Sequence, residues 1–153
     1  MADREQQLPD SSEPSDERQA ELETAYEAQK DTDAPYKDVS ILTVGEVLWI
    51  MAQRHGSVEY FLYGGMTRVN LSKADLRYAN LSGIILSYVN LSEADLGQAT
   101  MTGANLIGTL LSGAILFGTN LSGAILSYAN LSGTTLIGAN LSGAILDPSF
   151  RSL

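Results

Sequence analysis

From Leu71 to Leu146 the chain places a large apolar residue at every fifth position, sixteen times without a slip, with Met101 the one departure from leucine. Two positions ahead of each stands a small or β-branched residue, most often alanine, as at Ala74, Ala79, Ala94, Ala99, Ala104, Ala114, Ala124, Ala129, Ala139 and Ala144. A period of five fits neither the 3.6 of a helix nor the 2 of a strand. The pattern therefore predicts a repeat architecture, in which units bury their apolar pairs by stacking on one another. The three positions between are rich in Asn, Asp, Ser and Gly and are expected to face outward.

Upstream the pattern changes. Thr43 and Glu46 have the spacing of a capping box, Leu42 and Val47 that of a hydrophobic staple, and Val44, Val47, Leu48 and Met51 fall at i, i+3, i+4 and i+7 before Gly56. A short amphipathic helix is predicted there, followed by a strand and turn in SVEYFLYGG. Such a helix suits a lid, because a solenoid needs its end covered. Residues 1–35 are polar, with Pro9, Pro14 and Pro35 and few large apolar groups, and are predicted to be a disordered acidic arm. Within the arm, DERQAELETAYEAQK carries helix formers, acids at its front and Lys30 at its end, and puts Leu22, Ala25 and Tyr26 on one face. The pairs Glu17/Glu21 and Glu23/Glu27 repel, so the alternative to a solvated arm is a short helix that folds only against a partner. The expected organisation is an arm (1–35), a capping helix and strand (36–68), the repeat (69–148) and a tail (149–153).

The formal charge of −9 lies mostly in front of the repeat. Met1 to Asp38 holds twelve acids and four bases, whereas Val69 to Pro148 holds four acids and two bases. Coulomb attraction to nucleic acid or to an anionic membrane is disfavoured. The sequence has no cysteine, which excludes disulfides, thiolate metal sites and thiol catalysis. MADREQQ lacks an apolar signal region, and VSILTVGEVLWIMA is interrupted by Glu46 and too short for a bilayer, so a cytoplasmic protein without a membrane span is expected.

The units ADLRY, ANLSG, ADLGQ and ANLIG match A(D/N)LXX, and on those residues the chain resembles the pentapeptide-repeat family from Val69 to Pro148. The resemblance implies an all-β solenoid, a right-handed quadrilateral β-helix of four coils with four pentapeptides to a coil. It also implies that the central residue and the small one two before it point inward, with coils about 4.8 Å apart. A narrow square core with room for one large and one small side chain per side rationalises leucine alternating with alanine.

With residues twenty apart stacked, the sides centred on Leu71 and Leu81 display Asn and Ser and are polar and neutral. The sides centred on Leu76 and Leu86 display Ile115, Phe117 and Ile137, and Ile85, Tyr88, Ile107, Ile125, Tyr128 and Ile145. These nine residues are a candidate interaction surface, since contiguous exposed apolar patches mark docking sites. The competing reading is a set of ladders that only stabilise neighbouring coils. Asp75 and Asp95 should be coil neighbours with Arg77 close by and Lys73 over Glu93, an arrangement read as structural rather than as an acid–base pair. His55, the one histidine, suits the lid helix's C-terminal end. The six NLS triplets match the glycosylation acceptor but are generated by the repeat. No nucleophile and base pair, cofactor site or metal site is recognisable.

Among the functions the resemblance implies are DNA-mimicking proteins that act on DNA gyrase and regulators that work through protein contacts. A mimic needs acidic rows along the rod, and Asp75, Glu93, Asp95 and Asp147 are the repeat's whole complement of acids. The expected function is a non-enzymatic interaction or regulatory scaffold with an unknown protein partner, the gyrase-binding mimic being the alternative. A homodimer through the C-terminal coil is also expected. Leu146, Phe150 and Leu153 form its candidate end, and the resemblance implies the same, since some members of the family dimerise there.

Overall fold

The computed structural model describes residues 13–29, 45–47, 49 and 69–147. In the repeat, single-residue parallel bridges join residues twenty apart: Asn70 with Asn90, Asn90 with Leu110, and Leu110 with Asn130. The same holds for the columns beginning at Asp75, Asn80 and Ile85, so the solenoid has four sides and each column holds four residues. The sides are too short for extended strands. Three backbone hydrogen bonds tie each side to the next layer, as where Leu76 and Tyr78 donate to the carbonyls of Asp95 and Gly97, and Asp95 donates to that of Ala74.

Corners explain the rest of the pentad. The N–H of Ala79 closes a turn on the carbonyl of Leu76 at 3.2 Å, and equivalent bonds recur along the repeat. The third residue of every such turn is left-handed, with φ between 58° and 71° from Lys73 to Gly143. A residue with a Cβ takes that conformation at a cost of about 1–2 kcal/mol, which is why glycine holds most of these positions. The Asn or Asp preference has its own cause. Its side-chain oxygen accepts the N–H two residues on, as Asn90 from Ser92 and Asp95 from Gly97, each at 3.0 Å. Short polar side chains make this local bond readily.

The core is the stack of central residues, each no more than 1% exposed from Leu71 through Leu126. Thr109 and Thr119 occupy the small inward position, and their buried hydroxyls donate to the carbonyls of Leu86 and Leu96 at 2.8 Å. The two ends differ. Leu131, Leu136 and Leu141 are half-buried and Leu146 is 38% exposed, while Leu71, Leu76, Leu81 and Leu86 are covered.

The structure departs from the expectation of a disordered arm over Asp16–Gln29, which form helix α1. Ser15 is its N-cap, accepting the N–H of Arg18 at 3.3 Å, and Asp16 and Glu17 fill the first turn. Leu22 is fully buried in the same apolar cluster as the repeat's core, with Ala25 and Tyr26 packed against it. Arg18 bonds Glu21 at 2.6 Å and also the buried carboxylate of Glu46. The cation thus offsets part of the repulsion that makes the isolated segment unfavourable. The β solenoid is accordingly preceded by a helix where a disordered arm was expected.

Of the expected lid helix, Gly45, Glu46, Val47 and Trp49 are helical, and Val47 is fully buried in the core cluster. Thr43, Leu42, Val44, Leu48, Met51, His55, Gly56 and the SVEYFLYGG segment lie outside the described residues, as does Lys30. No described helix is long and apolar enough to cross a membrane.

Candidate functional site

The exterior positions of each side are the residue before the central leucine and the two after it. On the sides centred on Leu71 and Leu81 these carry Asn, Ser, Thr and Gly, with Lys73 and Glu93 at the lower corner of the Leu71 side, and are held by local bonds such as Ser82 to Asn80 through both its N–H (3.2 Å) and its hydroxyl (2.8 Å). Asn90 also donates to Asn70 of the layer before at 3.1 Å. One residue breaks this polarity: Leu110 stands in the Asn70 column, half-buried between Asn90 and Asn130.

The other two sides are opposite one another and carry the exposed apolar residues of the exterior. On the Leu86 side, Ile85 (65% exposed), Ile145 and Tyr128 face solvent, whereas Ile107 and Ile125 are half-buried within their columns. The nine residues singled out in the sequence are therefore not equally available: these two serve more as ladder than as surface. Tyr88 lies over the next layer, and a Cβ on Gly108 would fall 2.6 Å from its ring. Glycine at position 108 thus makes room for the tyrosine below it. On the Leu76 side, Ile115, Phe117 and Ile137 form the upper half of the exterior.

The lower half of that side is charged. Arg77 holds Asp75 through two hydrogen bonds of 2.8 and 2.6 Å and reaches Asp95 at 3.7 Å, and at the adjoining corner of the Leu71 side Lys73 lies 3.7 Å from Glu93. The Arg77 side-chain hydrogen bond, helped by its backbone N–H and charge, holds the Asp75 carboxyl below its ordinary range against a smaller effect of burial. The same contacts raise the Arg77 pKa. The carboxylates are thus largely compensated by neighbouring cations. Among the described residues no group of His, Cys, Asp and Glu is arranged to hold a metal ion.

Sequence reasoning missed Tyr78, which is 70% exposed beside Arg77 and occupies the same left-handed corner as Tyr88 and Tyr128. That shared register would have found it. At the end of the repeat Leu146 is 38% exposed, while Phe150 and Leu153 lie outside the described residues.

Comparison with known proteins agrees with this architecture. A family model for pentapeptide repeats matches in eight copies over residues 66–103, 86–116 and 114–147. A solved structure of HetL, a pentapeptide-repeat protein involved in heterocyst differentiation regulation from the cyanobacterium Nostoc, is 40% identical over 51% of this chain and 36% of its own, with a TM-score of 0.50. A pentapeptide-repeat protein of the Arabidopsis thaliana thylakoid lumen is 35% identical over 46% of this chain and 49% of its own (TM-score 0.46). QnrB1, a plasmid-mediated fluoroquinolone resistance protein, is 27% identical over 56% and 44% (TM-score 0.32). The chain thus spans between about a third and a half of the length of these structures. No curated protein matches the sequence.

Proposed function

The chain belongs to the pentapeptide-repeat family, whose solved members imply a right-handed β-helix, and from that premise we propose that it is a non-enzymatic interaction module. The observation that carries this reading is the pair of opposite exteriors on which Ile85, Ile145, Phe117 and Ile137 stand exposed on a backbone fixed by layer-to-layer hydrogen bonds. Rigid presentation lowers the ordering cost of binding, and apolar contact supplies the affinity. The partner surface is expected to be apolar and low in charge, to match the upper part of the rod.

The DNA-mimic alternative asks for rows of uncompensated carboxylates. Of the repeat's four acids, Asp75 and Asp95 share Arg77 and Glu93 stands beside Lys73. The fourth, Asp147, lies in the last layer, and the larger acidic source is the segment before the repeat, where α1 turns Leu22 and Arg18 toward the protein. Neither arrangement imitates a duplex backbone.

The test is capture of partners from the native host by the wild-type chain and by Ile85→Ser with Ile145→Ser, with Ser122→Ala as control. Loss of specific partners in the double variant, with melting by circular dichroism retained, supports docking. Capture unchanged while melting falls would leave a ladder and no docking face. We propose further that the less covered last layer pairs with its counterpart in a second copy. Light scattering coupled to size exclusion should give a mass of two chains, reduced to one by Phe150→Asp with Leu153→Asp.

A further inference from the structure

Glycine takes the left-handed corner without strain, yet six corners hold a side chain: Lys73, Tyr78, Tyr88, Glu93, Gln98 and Tyr128. Contacts between layers compensate for most of them. Lys73 pairs with Glu93 at 3.7 Å, and Tyr88 and Gln98 lie over the glycines at 108 and 118. Tyr128 has the same strained backbone, with φ of 60°, but stays 77% exposed, so packing within the chain compensates for little of it. A side chain kept in a strained conformation with little contact of its own points to a role outside the fold. Tyr78 is similar but stands beside the charged Arg77, with no second tyrosine on its edge. Tyr128 shares its edge with Tyr88.

We infer that the edge formed by Tyr88, Gly108 and Tyr128 is a docking site for a proline-rich segment of a partner in the polyproline II conformation, with prolines set against the two rings. The tyrosines are two layers apart on this edge, about 9.6 Å. Three residues of polyproline II advance about 9.3 Å, so prolines at i and i+3 fall in step with them. The layer between suits the same occupant. Ile107 precedes Gly108 and Leu110 follows it, both half-buried, and Leu110 is the residue that interrupts the asparagine column. In that column Asn90 donates to Asn70 of the layer before at 3.1 Å, but the Leu110 side chain offers Asn130 no such acceptor. The exposed Asn130 amide is therefore placed to donate to a peptide carbonyl, and polyproline II leaves its carbonyls unpaired. No residue of 85–92, 105–112 or 125–132 is charged, so the edge offers nothing to a phosphate or an ionic peptide. A sugar polymer would ask for polar groups where Ile107 and Leu110 stand. The inference rests on the interaction-module reading but not on its isoleucine faces.

The test is titration of decaproline into the full chain, followed by amide NMR. The amides of Tyr88, Gly108, Leu110 and Tyr128 should shift, while that of Gly118 on the opposite edge stays in place. Tyr128→Gly puts glycine where the corner prefers it, so it should melt at or above the wild type yet weaken binding by about tenfold or more. Leu110→Asn, which restores the asparagine column, should weaken binding as well. Of two decapeptides of one composition, that with prolines at i and i+3 should bind more tightly than that with prolines at i and i+4. The inference is overturned if Tyr128→Gly binds decaproline as the wild type does, or if the two proline spacings bind alike. It is overturned too if cellohexaose shifts these amides and decaproline does not. None of these failures touches the isoleucine faces, which are read separately by partner capture with Ile85→Ser and Ile145→Ser.

Discussion

At the scale of the residue, the pentad assigns each position a separate physical task, and substitutions should separate those tasks. Leu121 is fully buried, and its neighbour Ser122 is half-exposed. Leu121→Ala is expected to cost about 2–5 kcal/mol through the cavity it leaves, and Ser122→Ala about 0.5 kcal/mol or less. Denaturant midpoints measure both, and equal effects would mean the inward register is misassigned. The left-handed corner gives a second contrast. Gly108 and Gly123 have φ of 63° and 66°, but an added Cβ meets the Tyr88 ring at 2.6 Å in the first and nothing nearer than 4.0 Å in the second. Gly108→Ala should therefore destabilise more than Gly123→Ala, and the difference should vanish in a Tyr88→Ala background. A third contrast is electrostatic. Asp75 has its carboxyl pKa lowered by Arg77, so the pair's contribution is present above the unfolded carboxylate pKa and is lost as pH falls through the lower folded value. Both groups are partly exposed, so the contribution is small. An NMR titration should show the Asp75 midpoint rising in Arg77→Gln, and an unmoved midpoint would contradict the assignment.

At the scale of the element, the repeat was legible because sixteen in-phase apolar residues, fifteen leucines and Met101, leave no competing period, and the Asn/Asp and Gly preferences follow from one corner geometry. Helix α1 was misread for the opposite reason. Its apolar face amounts to Leu22, Ala25 and Tyr26, too little to outweigh its repelling acids on any local reckoning. The deciding partner, Glu46, lies twenty-eight residues from Arg18 and is invisible to a short sequence window. The same limit explains Ile107 and Ile125, whose sequence positions show that they face outward but not how far neighbouring layers cover them. Because Leu22 is the one fully buried residue of α1 among the described residues, Leu22→Ala should strip hydrogen-exchange protection from Asp16–Gln29 while amides such as Leu96 and Met101 stay protected. Equal loss in both would make α1 part of one cooperative unit with the repeat.

At the scale of the whole molecule, the layers repeat every twenty residues while the pentads repeat every five, and the difference separates the interior from the exterior. Every side offers the core the same leucine and small residue, so the interior cannot tell one side from the next. The outside can, because the two columns beginning at Asn70 and Asn80 are mostly asparagine and alternate around the rod with one that is mostly isoleucine, beginning at Ile85, and one that runs from Asp75 and Asp95 to Ile115 and Thr135. Adding or deleting a single pentad is then a rotation. It turns everything after it by a quarter turn about the rod's axis and leaves the core in phase. Five residues inserted after Gly118 would carry Ile125 and Ile145 out of line with Ile85, splitting one apolar strip into two half-strips on adjacent sides. A twenty-residue insertion would lengthen the rod by one graduation of about 4.8 Å and keep every strip straight. The molecule is in this sense a combination lock, whose outer pattern can be dialled in quarter turns by the smallest duplication its sequence can undergo.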